Sequence, residues 1–166
     1  MGDSQEGFAA TGAAAFATLY AREAQTVLRY LRTAGGDADA EDLCSETFVR
    51  ALDAWARFRG DDAAARYWVM RIARNALIDH FRRRGRSRTV GLPETTAAPS
   101  PDHARRLAIE AALALLDRDD RELLALRSAG LSYAEISQVL KRSEAAVRKA
   151  NQRALDRVRP HLEGVL

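Results

Sequence analysis

A single cysteine, Cys44, occurs in 166 residues. One thiol excludes an intramolecular disulfide and, by count, any four-ligand cysteine or Cys/His zinc site. Four prolines and ten glycines leave few turns, and the period-two, β-branched alternation that a sheet needs is nearly missing. No apolar run approaches the roughly 18 residues of a membrane-spanning helix. Residues 1–7 lack the basic-then-apolar order of a signal peptide. Together with the lone thiol, this points to the reducing cytoplasm. His103 and His161 are isolated, and no nucleophile, paired acid or metal cluster stands at a useful spacing. Neither catalysis nor a cofactor, metal or small-molecule substrate is therefore expected.

What remains is alanine, arginine and a helical period. The fold expected is all-α, and the length suits two small helical domains joined by a flexible linker. The formal net charge is only +3, so its distribution carries more than its sum. Lys141 and Lys149 are the only lysines, and the basic residues concentrate at 71–88 and 141–159, while acids gather at 37–46. Two separated basic clusters suit a polyanionic partner.

Along 13–33, Phe16, Leu19, Tyr20, Val27, Tyr30 and Leu31 recur at helical steps, and Gly35 and Gly36 end the helix. Asp39 is placed to cap a second helix, with Leu43, Thr47, Ala51 and Ala54 on one stripe and Phe48, Leu52 and Trp55 beside it. After a loop at 58–62, Val69, Ile72, Ala73, Ala76, Leu77 and His80 form the inward stripe of a third helix. Arg71, Arg74, Asn75 and Arg82 then face outward. The stretch 85–102, rich in small residues and proline, reads as the linker. Residues 1–12 are expected to be disordered, 13–84 to form the first domain, 103–160 the second, and 161–166 a tail.

The second domain is expected to open with a helix carrying Leu107, Ala111, Leu113 and Leu115. Asp119 to Glu122 supplies a capping box for the next helix, whose core face holds Leu123, Leu124 and Leu126, and Gly130 ends it. Ser132 and Glu135 form another capping box, and Ser143 caps a last helix reaching about Arg159. A short helix, a tight turn and a longer basic helix fit a helix-turn-helix, whose second helix enters the DNA major groove. On it Val147, Ala150, Ala154 and Val158 keep one side apolar. Arg148, Lys149, Gln152, Arg153 and Arg157 are left for phosphates and base edges, with Ser143 at its start. The alternative is an ordinary solvated face.

Two further segments, DAEDLCSETFVRAL at 39–52 and YWVMRIARNALIDHFRRR at 67–84, resemble signatures of the extracytoplasmic-function (ECF) sigma factors of the sigma-70 family. The resemblance runs over nearly the whole length. It implies a sigma-2 helical bundle and a sigma-4 helix-turn-helix in a subunit that directs RNA polymerase to promoters. Asp39, Glu41, Asp42, Glu46, Phe48 and Arg50 would dock on the β′ clamp of core polymerase, whose β flap meets the second domain. Phe58 and Asn75 would hold an extruded minus-ten base, Tyr67 and Trp68 would stack at the upstream fork, and Arg71, Arg74, Arg82 and Arg83 would hold phosphates of the displaced strand. The C-terminal helix would read the minus-thirty-five element, and an anti-sigma protein would be a further partner.

The chain departs from the family at the turn, where Lys141 and Arg142 replace a glycine and an aliphatic residue, and at Ala150, commonly basic or polar. A non-glycine in a left-handed turn costs roughly 1 kcal/mol. Cys44 reads as a small buried hydrophobe and His80 as structural. Two other readings stay open: a helix-turn-helix regulator working without the clamp, and a sigma-like module that only binds an anti-sigma protein.

Overall fold

A computed structural model describes residues 3–36, 38–86 and 101–162, and among them there are seven α-helices and no strand. Helices α1 (Asp3–Gly35), α2 (Ala40–Trp55) and α3 (Asp62–Arg86) pack on one another as an N-terminal body. A C-terminal body comprises α4 (Pro101–Ala114), α5 (Arg118–Ser128), α6 (Tyr133–Leu140) and α7 (Glu144–Leu162). Most of the expected linker, 87–100, and the end of the tail, 163–166, lie outside the described residues.

Helix α1 is described from Asp3, ahead of the helix start read near residue 13, and residues 3–12 hold no proline that would break it. Gly36, at φ 91°, ends α1 in the left-handed region where glycine carries no Cβ penalty. Leu19, Val27, Tyr30 and Leu31 point inward as their spacing predicts, while Tyr20 is half-exposed and meets Phe48 edge-on. Leu43, Thr47, Phe48 and Ala51 of α2 and Val69, Met70, Ala73, Ala76 and Leu77 of α3 complete this core. Phe16, Trp55, Phe58 and Trp68 form an aromatic cluster at one end, with Trp55 and Phe58 stacked at 5.3 Å. Trp55 Nε1 donates to the Gly12 carbonyl at 2.8 Å.

Several local expectations need correction. Asp39 occupies the N-cap position of α2 but makes no side-chain cap bond, because its carboxylate is drawn instead to Arg84 at 2.7 Å. The cap of α5 is Asp117, whose side chain accepts from Asp120 N, two residues ahead of the box expected at Asp119. That backbone hydrogen bond holds the Asp117 carboxyl below its usual range. In and just after α4 the inward residues are Ala112 and Leu116, whereas Leu107 and Leu115 are about half-exposed. Helix α7 runs through Pro160, which removes one hydrogen bond in its last two turns and does not stop the helix.

The helix-turn-helix itself matches its sequence signals. Ser132 Oγ accepts from Glu135 N, and the Glu135 carboxylate accepts from Ser132 N. Ser143 Oγ accepts from Ala146 N. Between them Lys141 sits at φ 53°, ψ 47°, the described non-glycine residue with positive φ.

The two bodies are not apart. Helix α1 packs on α5 and α3 on α6, so Leu123, Leu126, Leu131 and Ile136 of the C-terminal body share one core with Leu31 and Met70 of the N-terminal body. All six are fully buried. At roughly 1.5–3 kcal/mol for each fully buried large side chain, a shared face of this kind is a substantial contact.

Candidate functional site

Three surfaces carry the chemistry expected from the sequence. The first is the outer side of α2. Asp42 is exposed, but its acidic companions are engaged: Glu41 with Arg32 at 3.2 Å, Glu46 with Arg50 at 2.5 Å and with Arg83 at 3.5 Å, and Asp39 with Arg84. Asp39 also lies 3.2 Å from His80 Nε2. Arg50 bridges onward to Asp79 at 3.0 Å, and this carboxylate bond raises its pKa above the ordinary arginine value. The helix is thus stitched to the end of α3. Phe48 is 5% exposed, so its expected place on the docking face is corrected: it is a core residue under Tyr20. Val49 and Leu52, at 60% and 54% exposure, stand on the outer side instead. Both are apolar residues off the buried stripe, each about two turns beyond a polar residue of the same face, Asp42 and Ser45.

The second surface is a cleft on α3. Trp68, Arg71, Arg74 and Asn75 line it, as the sequence groups them, and its volume is about 480 Å³. Its other wall was not foreseen: Val139, Leu140 and Lys141 of the C-terminal body. Phe58 reaches it only through Trp68, with ring centroids 4.8 Å apart, and Tyr67 is half-buried. Arg82 and Arg83 lie at the far end of α3, facing Asp79 and Glu46. Arg74 does not face solvent as expected: its Nε donates to Glu122 Oε1 at 2.6 Å and its Nη2 to Glu122 Oε2 at 3.2 Å.

The third surface is α7. Val147, Ala150, Ala154 and Val158 are buried, and Arg148, Lys149, Gln152, Arg153 and Arg157 are exposed, as the helical period predicts. Ala150 is a packing residue here, its Cβ fully covered. Arg148 pairs with Glu144 and stacks over Tyr133 at 4.7 Å; Arg157 faces Asp120 at 3.3 Å. Among the described residues Lys149 and Arg153 have no carboxylate within ion-pair distance.

These surfaces fall on two recognised sequence regions. Residues 19–87 match sigma-70 region 2, and residues 106–158 match sigma-70 region 4. The chain belongs to the ECF family of RNA polymerase sigma factors. It is 37% identical over 155 residues to the ECF sigma factor BldN of Streptomyces coelicolor, an alignment covering 85% of this chain and 58% of BldN. With SigC of Mycobacterium tuberculosis it shares 35% identity, over 80% of this chain and 75% of SigC. CnrH, solved in complex with the cytosolic domain of CnrY, superposes with a TM-score of 0.69 at 26% identity, covering 94% of this chain and 95% of CnrH. The sigma factor RpoE of Bartonella quintana, solved with the anti-sigma factor NepR, has the same fold at 20% identity, with a TM-score of 0.59 and coverage of 95% and 98%.

Family membership accounts for the helix-turn-helix without further assumption. The Cys44 thiol of this sigma factor is half-buried, and burial pushes its pKa up, so it is a packed thiol rather than a thiolate. Among the described residues no group of His, Cys, Asp or Glu could hold a metal, and no helix is long and apolar enough to cross a membrane.

Proposed function

We propose that this sigma factor binds core RNA polymerase through α2 and directs it to promoters read by α3 and α7, acting in the cytoplasm as a specificity subunit and not as an enzyme. The observation that carries the reading is the joint presence of an acidic helix with exposed Val49 and Leu52, a basic and aromatic cleft, and a capped helix-turn-helix. Asp42, with Glu46 and Asp39 after their intramolecular pairs exchange, faces the basic clamp, and Val49 and Leu52 supply the apolar centre of that contact. The half-exposed Leu107 on α4 and Leu115 just after it offer region 4 a surface for the flap.

At the minus-ten element the duplex hides base edges, and extruding a base costs a few kcal/mol that a pocket must return. Asn75 can donate and accept at a base edge, Trp68 can stack, and Arg71 and Arg74 can hold phosphates. Phe58 supports Trp68 from behind, and Arg82 and Arg83 extend the phosphate track. On α7, Lys149 and Arg153 are the first residues to meet the minus-thirty-five duplex, with Arg148, Gln152 and Arg157 after release of their internal partners. Ser143 serves as the cap of α7. An inhibitory protein partner fits the likeness to CnrH, which was captured with the cytosolic domain of a second protein.

Run-off transcription with purified core polymerase over a genomic promoter library tests this reading: transcripts should start only when the sigma factor is added, and none from any promoter would refute it. In the full chain, Asp42→Arg with Glu46→Arg should abolish core binding while duplex binding through α7 persists. Retained core binding would favour a regulator that works without the clamp.

A further inference from the structure

The cleft between α3 and the helix-turn-helix has the make-up of a small-molecule site. Its volume of about 480 Å³ is in the range of cavities that hold such ligands, and no carboxylate lines it. Ile72, Val139 and Leu140 supply apolar wall. Trp68, half-buried, is packed from behind by Trp55 and Phe58, which holds its ring in place. Three polar side chains converge here uncommitted: among the described residues Arg71, Asn75 and Lys141 make no side-chain hydrogen bond or ion pair. Arg74 lines the cleft as well, but its charge is already matched by Glu122.

Lys141 makes the cleft particular to this chain. It sits at φ 53°, ψ 47°, a left-handed conformation that glycine adopts without a Cβ penalty and lysine does not. Held there against the local preference, it adds a second uncommitted cation on the wall opposite Arg71. Two such cations suit a ligand with more than one phosphate. An indole ring suits a base that stacks on it. The Asn75 amide is donor and acceptor at once, and asparagine pairs bidentately with the adenine edge.

We propose that the free chain binds an adenine nucleotide carrying two or more phosphates in this cleft, with the base stacked on Trp68 and paired with Asn75 and the phosphates held between Arg71 and Lys141. The site stands on the cleft itself and does not require the promoter roles proposed for α3 and α7.

The test is a calorimetric titration of the full free chain with ATP, and with inorganic triphosphate as a probe of charge alone. ATP should saturate one site and bind about tenfold more tightly than triphosphate, the gain expected from stacking one base. Lys141→Gly separates binding from folding: it relieves the turn, so the urea midpoint should rise while ATP affinity falls about tenfold. Lys141→Arg keeps the charge and should retain the affinity. Arg71→Ala should weaken both probes about tenfold, whereas Asn75→Ala should weaken ATP and leave triphosphate unchanged. The proposal is overturned by the lack of saturable binding up to about 1 mM ATP, by equal affinities for ATP and triphosphate, or by parental ATP affinity in both Lys141→Gly and Arg71→Ala. Because the titration contains neither polymerase nor promoter, its failure and a failure of run-off transcription are read separately.

Discussion

Helices α3 and α7 are both basic and both proposed to meet DNA, yet they are differently placed to do so. On α3, Arg66, Arg74, Arg83 and Arg84 face Glu135, Glu122, Glu46 and Asp39, carboxylates of other helices or the residue that begins one. On α7, the pairs of Arg148 and Arg157 leave both arginines more than half-exposed, and Lys149 and Arg153 stand among the described residues without a carboxylate at ion-pair distance. An exposed pair contributes at most about 1 kcal/mol and exchanges readily for phosphate. Arg74 is different. Burial would lower its pKa, but the hydrogen bond and charge of Glu122 raise it, so the pair holds together. Charge alone does not make a DNA-reading surface; the partner already in place decides when it is available.

The strongest way to break this comparison is through the core the two regions share. Leu126→Ala, at a fully buried position in that core, should cost about 3 kcal/mol, read as a lower midpoint in one urea transition. Two separate transitions would show that the regions fold independently. Next in size, Lys149→Ala with Arg153→Ala should weaken duplex binding by the free chain about tenfold and reduce the slope of log affinity against log salt by about 2. Arg71→Ala should leave that binding unchanged, because its cleft is walled by region 4.

Tyr30→Phe should cost about 1 kcal/mol by removing one donor from Glu122. Burial first, and then the Glu122 charge, holds the Tyr30 pKa well above its ordinary value of 10.0. The neutral phenol is therefore favoured in the fold. Its contribution is complete below the unfolded pKa and is lost as pH rises from that value through the folded one. Alkaline unfolding monitored by circular dichroism should be less steep in the phenylalanine variant. The smallest effect is a gain: Lys141→Gly relieves the left-handed turn and should raise stability by up to about 1 kcal/mol in the same urea assay.

Much of the architecture was legible because its signals are local. The Ser132 and Glu135 box, the Ser143 cap, Gly130 and the alanine-valine stripe of α7 lie within one or two turns of the groups they satisfy. Misreadings arose where a side chain had two possible partners. Asp39 was read as a cap and went to Arg84, and Phe48 was read as a docking residue and went under Tyr20. Leu107 on α4 and Leu115 just after it looked inward because they are leucines, while smaller Ala112 holds the contact with α7. The α2 face was partly readable, since Val49 and Leu52 stand off the buried stripe.

Composition, periodicity and capping residues by themselves determined an all-helical chain, its turns and the outward face of α7, because each depends on contacts a few residues long. Family resemblance supplied the roles. Only the tertiary structure decided that Arg74 meets Glu122, 48 residues away, and that regions 2 and 4 share a core. The physical reason is that a helical period sets which side of a helix is apolar or charged, whereas the partner that covers it is chosen by the packing of the whole chain.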